Sequence, residues 1–267
     1  MSIREAVNAG AFYPAKKEEI DNLIDYFNNS TKDRDESIKD IKPKAIISPH
    51  AGYVYSGFGA NLAHKALAKN GVRRVVVIGP SHYVAFNGIS GSYFDEYETP
   101  YGNLKIDLEY LNIMSKHFNI GFIKESHNRE HSTETQMPFI AKYQPEVKVI
   151  ELIYSQIDYK ELAKVVEWLL SDSLTTVVIS SDLSHFHDLK RAEFLDSICI
   201  NGVSKLDIDI LDIGCEACGI TGIKSVIASA KELNLKSKIL DYSTSADVTN
   251  DKSRVVGYMS ALFYSIQ

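Results

Sequence analysis

Apolar positions along the chain follow two alternating patterns. Residues 45–48, 75–78, 147–153 and 176–179 are short, nearly unbroken apolar runs and read as buried strands. Between them the apolar positions recur at helical spacing. Ile20, Leu23, Ile24 and Phe27 do so within 17–27, and Leu162, Val165, Val166 and Leu169 within 158–170. The same spacing predicts helices over 57–69, 189–202, 205–213 and 221–233. Residues 105–117 read as a strand end running into a helix, and 135–143 as a helix with Pro138 in its first turn. Strands over 238–243 and 255–264 close the chain, and these last strands are expected to run antiparallel. Strands alternating with helices predict a single α/β domain over 1–267, with a mostly parallel or mixed central sheet covered by helices on both faces. A polar, charged stretch at 28–37, NNSTKDRDES, is the expected mobile loop. Neither internal repeats nor low-complexity tracts interrupt this pattern.

Composition narrows the function classes. At 267 residues and 45% hydrophobic, the chain can bury a full core. A net charge of −6 without a basic block argues against a nucleic-acid partner, which needs a positive surface. No apolar run approaches the ~20 residues of a membrane span, and the opening MSIREAVNAGAFYPAKKEE lacks an apolar signal core. Three cysteines, Cys199, Cys215 and Cys218, cannot staple the fold in pairs, and a chain of this size needs no staple. The expectation is a reduced, cytoplasmic protein.

Three strands then end in the same way. KAIISPH runs to His50, RVVVIGPSH to His82, and TTVVISSDLSH to Asp182 and His185. Ligands of open α/β sheets bind beyond the carboxyl ends of the strands. If the three strands are parallel neighbours, these side chains share one crevice. A metal is the simplest reason to gather His50, His82 and a thiolate, because imidazole and thiolate suit iron, copper and zinc. Three protein ligands leave positions open for water, oxygen or substrate. His185, with a reference pKa near neutrality, is the candidate acid/base, and Asp182 can orient an imidazole across the site. HAGYVYSG, after His50, packs glycines and tyrosines beside the site. REHSTETQMPF, at 129–139, offers Glu130, His131 and Glu134, although Thr133 and Gln136 also form a helix-starting capping box. CEACG contains a lone Cys-x-x-Cys, which excludes a zinc site made of four cysteines. His64, His117, His127 and His187 read as surface or packing residues.

SPHAGYVYSG, GPSHYV, TPYGNLKID, EHSTETQMPF, SSDLSHF and the late ACG, with the lead-in AGAFYPA, together resemble the Memo family, also called AmmeMemoRadiSam system protein B. The resemblance runs in order over nearly the whole chain. It implies a fold similar to the class III extradiol ring-cleavage dioxygenases, non-haem Fe(II) enzymes that hold iron with two histidines and a glutamate. Carried over, the ligand histidines are His50 and His82 and the acid/base is His185. The third ligand position falls on Cys218, where the glutamate is missing; a thiolate is softer and donates more charge, so metal preference shifts. The resemblance assigns Cys215 no role. It also implies partners for some members, a radical-SAM protein and a third component.

Three functions follow. In the first, Fe(II) or copper on His50, His82 and Cys218 serves an oxidoreductase of unknown substrate; His185 moves a proton, Asp182, Glu130 and His131 shape the polar wall, and Tyr53 stacks on or bonds to the substrate. In the second, the same ligands hold zinc in a hydrolase whose base is Glu130 or Glu134. In the third, the pocket binds a small molecule, peptide or metal without turnover. The dioxygenase-like metalloprotein is the leading reading.

Overall fold

The structure, a computed structural model, describes residues 2–30 and 37–265. Of the polar loop expected at 28–37, residues 31–36 lie outside the described residues. The strands are β1 (Ile3–Arg4), β2 (Pro43–Ser48), β3 (Arg74–Pro80), β4 (Ile89–Gly91), β5 (Glu96–Tyr97), β6 (Leu104–Lys105), β7 (Ile120–Gly121), β8 (Lys148–Tyr154), β9 (Thr175–Ser180), β10 (His185–His187), β11 (Lys236–Thr244) and β12 (Val255–Tyr264). The four solid apolar runs are the parallel heart of a nine-stranded sheet, in the order β2–β9–β3–β8. β12 lies antiparallel on β2 and carries β10 and β11 beyond it. At the other side β4 is antiparallel to β8 and parallel to β7. A small sheet, β1–β5–β6, sits apart. The sheet is therefore mixed, and its short flanking strands had no periodicity long enough to announce them.

Alternation along the strands divides the core. Ile47, Val76, Ile78, Val177 and Ile179 face a layer that includes Leu162, Val166 and Leu169 from the helix Tyr159–Ser171 and Ile223 and Val226 from the helix Ile220–Glu232. Ile46, Val75, Val77 and Val178 face the other way, onto Ala63, Ala66 and Leu67 of the helix Tyr53–Leu67 and Met137 and Ile140 of the helix Met137–Tyr143. Helices thus cover both faces. Pro138 stands in the first turn of its helix, where a missing N–H costs nothing. The expected capping box fails: Glu130, not Thr133, caps the preceding short helix, His131–Glu134, by accepting from Ser132 N.

The cysteines correct the expectation of three reduced thiols. Cys199, on the buried face of the helix Leu189–Lys205, is bonded to Cys215, 16 residues on. Cys218 is the free thiol. Chain length showed that a staple was unnecessary, not that none would form; the helix and the following loop turn back so that both sulfurs meet in the core. Cysteine usage therefore does not place the chain in a reducing compartment. Among the described residues no helix is long and apolar enough to cross a membrane. The bridge ties down the loop that carries Cys218. A Cys199→Ala variant is expected to lose about 3 kcal/mol, the chain-entropy value for a ~15-residue loop. Urea unfolding under non-reducing conditions checks this, and an unchanged midpoint would contradict it.

Candidate metal centre

β2, β9 and β3 are adjacent and parallel, so the segments carrying His50, Asp182 and His82 leave one edge of the sheet. The Cys218 loop closes the site from the side. A Cβ at Gly219 would lie 2.5 Å from the Ser181 Cβ, so only glycine lets this loop come against the end of β9. The result brings the Cys218 Sγ to 3.4 Å from His50 Nε2, with Asp182 N donating to the sulfur at 3.3 Å. One ligand atom each from His50, His82 and Cys218 lies within 4.8 Å of the others, and His82, Glu130 and His131 form a second such group.

The depth of the site is graded. His50 forms its floor, 2% exposed, while His82 opens to solvent and Cys218 is half-buried. His131 stacks on His82, with ring centroids 4.5 Å apart, and on Phe12 from the lead-in at 4.6 Å. Tyr83 meets His131 edge-on. Asp182 accepts from His50 N at 2.7 Å, and its second oxygen stands 3.9 Å from His50 Nε2. Glu130 takes both the backbone N and the Nδ1 of His82 at 2.7 Å each. His185 lies on β10, half-buried, and Phe186 after it holds a φ of 63°, a left-handed conformation uncommon for an aromatic residue.

These positions set the charges. Burial, with the neighbouring His82 and His131, drives the His50 imidazole well below its usual range, so the ring is neutral. Burial raises the Asp182 carboxyl against the pull of His50 N–H and His185. Burial would raise Glu130 too, but its hydrogen bonds from His82 outweigh this and hold it below the usual carboxylate range. Burial and the nearby Asp182 push the Cys218 thiol up to about 12. A thiol so placed becomes a thiolate only beside a cation, and a bound metal deprotonates its thiol ligand outright. Imidazole nitrogens and a thiol are donors that suit iron, copper and zinc, so the residues fit a metal of this kind.

Two expected residues do not serve as predicted. Tyr53 is 2% exposed; its ring stacks on Phe139 and its hydroxyl donates to Thr135 O, so it offers no free face or hydroxyl to a substrate. The tyrosine-rich stretch became the first turn of a core helix. Glu134 is held by Arg4, Asn8 and Tyr13 and cannot act as a base. Sequence reasoning also missed residues. Six polar side chains, Glu130 and the five successive residues Ser132 to Gln136, are buried on either side of His131 in the chain. Ser180 Oγ lies 2.9 Å from His50 Nδ1, within hydrogen-bond distance, and Gln136 joins Ser180 to His64. A long polar run in a segment flanked by core strands was the available signal. His64 and His127 are buried, as packing residues would be, but each is hydrogen-bonded: His64 to Gln136, and His127 to Glu151, whose carboxyl burial would raise but His127 and Arg4 hold down at about 2.

His64 makes stability depend on pH. Burial pushes its imidazole down to about 4, only partly offset by Gln136. An unfolded histidine titrates near ~6.5, so between these values the unfolded chain binds a proton that the folded chain refuses. Stability is expected to be full above that range and to fall as pH drops through it, by about 3 kcal/mol in all. Urea midpoints at a series of pH values should show a slope that His64→Gln flattens; parallel curves for the two proteins would refute the assignment.

The protein is thus a mixed α/β domain that carries a candidate metal-ligand group, two imidazoles and a thiol, at the carboxyl edge of its sheet. Comparison sharpens this. The Memo-like protein family model matches residues 4–262. MEMO1 family proteins of Aquifex aeolicus and Nitrosopumilus maritimus are 34% and 30% identical, covering 98% of this chain and 100% and 99% of their own lengths. One from Methanococcus maripaludis is 32% identical over 97% of this chain and 99% of its own length. The chain belongs to the Memo family. A solved structure, an uncharacterized protein JW3007 from Escherichia coli K12, shares the fold with a TM-score of 0.57 and 12% identity, over 82% of this chain and 99% of its own.

Proposed function

We propose that the chain is a metal-dependent oxidoreductase of the non-haem dioxygenase type, acting on a small-molecule substrate, with Fe(II) or copper held by His50, His82 and Cys218. The observation that carries this reading is the gathering of two imidazole nitrogens and the free thiol within 4.8 Å of one another. A metal held there supplies a redox centre with coordination positions left open. The chain's own residues do the rest. His185, half-buried on β10, moves the proton. Asp182 holds His50 by its backbone, and Glu130 holds His82 by two hydrogen bonds. His131, stacked between Phe12 and His82, walls the pocket. The zinc-hydrolase reading is weaker, because Glu130 and Glu134 are both spent on other partners and leave no carboxylate base.

Metal content after anaerobic, tag-free purification tests this, on wild type and on His50→Ala, His82→Ala and Cys218→Ala, followed by oxygen uptake with a panel of aromatic diols. Stoichiometric iron or copper in wild type, its loss in all three variants, and oxygen uptake are expected. A wild type that stays empty on loading with iron, copper and zinc would end the metal assignment. Metal without oxygen chemistry would leave a metal- or ligand-binding protein.

A further inference from the structure

We propose that Ser180, oriented by Gln136, is a positioning residue that locks His50 in its Nδ1–H tautomer, so that the Nε2 lone pair is the one presented to the metal. The inference rests on the metal reading above but is argued from hydrogen-bond capacity alone. A serine hydroxyl has one hydrogen to donate and two lone pairs to accept with. Ser180 Oγ has three neighbours: Ser132 O, Gln136 Nε2 at 3.1 Å and His50 Nδ1 at 2.9 Å. Ser132 O is a carbonyl and can only accept, so it takes the single hydroxyl hydrogen. Both lone pairs must then be met by donors.

Gln136 supplies one of them, and its orientation is fixed from outside. Its Nε2 lies 3.0 Å from Pro49 O, an acceptor only, so the amide nitrogen faces Pro49 and Ser180 and the amide oxygen faces away. That oxygen lies 2.8 Å from His64 Nε2, which therefore carries a proton. His50 Nδ1 must be the second donor to Ser180. With its proton on Nδ1, neutral His50 has its lone pair on Nε2, the nitrogen 3.4 Å from Cys218 Sγ.

The other ligand ring is set differently. His82 Nδ1 donates to the Glu130 carboxylate, a charged partner, whereas His50 donates to a neutral hydroxyl. The two systems meet in one segment. Ser132 accepts from Ser180 through its carbonyl, donates from its own hydroxyl to Pro80 O at the end of β3, and donates its N–H to Glu130. The buried polar run at 130–136 thus orients both rings through their Nδ1 atoms, and Ser180 is the link to His50.

The test uses the full chain with ring-15N histidine labelling, without and with metal. Two-bond proton–nitrogen spectra should show His50 with a protonated Nδ1 and a bare Nε2 in the metal-free wild type. In Ser180→Ala the ring should redistribute toward the Nε2–H form. Its affinity for Zn(II), used as a non-redox probe by chelator competition, should fall about 10–100-fold, the usual cost of losing a ligand's outer partner. Ser180→Thr, which keeps the hydroxyl, should restore the tautomer. A wild-type spectrum with the proton on Nε2 overturns the proposal even if no variant folds, as does a Ser180→Ala protein with unchanged tautomer or unchanged affinity. If wild type binds no metal while His50 shows the Nδ1–H form, the metal reading fails and the tautomer assignment stands.

Discussion

Arg4→Met is expected to destabilise the fold by about 3–5 kcal/mol, the cost of removing one member of a buried ion pair. Arg4 is 2% exposed and its guanidinium lies 3.1 Å from Glu134 Oε2, on a side chain with no exposure at all. Glu134 also accepts from Asn8 N, Asn8 Nδ2 and Tyr13 OH. Those bonds solvate the carboxylate but do not neutralise it. Burial already raises its pKa, and Arg4 is the charge that opposes this. Without Arg4 the cluster must bury a lone charge or take up a proton. The effect should extend to the site, because Arg4 Nη2 also donates to Glu130 O at 3.0 Å, and Glu130 holds His82. Urea unfolding measures the loss, and Arg4→Met with Glu134→Leu should recover part of it. A single variant within ~1 kcal/mol of wild type would show that the pair carries little, as exposed pairs do.

Gly257→Ala should cost upward of about 3 kcal/mol, combining overpacking with the orphaning of a buried donor. A Cβ there would fall 1.9 Å from Asp196 Oδ2. Asp196 has no room to yield, since it accepts from Ser184 N and Tyr242 OH at 2.9 Å each. Gly257 is itself bonded to the same segment, donating to Ser184 O and accepting from Leu183 N. The strain therefore reaches the residues that lead into His185. Thermal unfolding of Gly257→Ala, Asp196→Ala and the pair together separates the causes. If the clash dominates, the double variant is no worse than Asp196→Ala alone; additive losses would place the damage elsewhere.

What was legible in the chain follows from period and length. The runs at 75–78 and 176–179 could be little other than buried strands, and their shared His endings pointed to one edge. The parallel adjacency of β2, β9 and β3 then placed His50, Asp182 and His82 together. Three-residue strands such as β4 and β10 carry no readable alternation, so the antiparallel margins were foreseen only at the last strands. Cys199 and Tyr53 were misread for a related reason. Whether a thiol meets another, or a tyrosine faces a pocket or a core, depends on contacts distant in sequence. Ser180 belongs to the same group, because its role appears only once Ser132 and Gln136 are brought against it.

The disulfide leaves Cys218 as the free cysteine among the chain's three. Under non-reducing conditions, a thiol-counting reagent applied to the native protein therefore reports on a single sulfur, the same one proposed to hold the metal. The rate of that labelling becomes a direct gauge of occupancy, read without any substrate, and any protection afforded by an added ion is protection of the site itself.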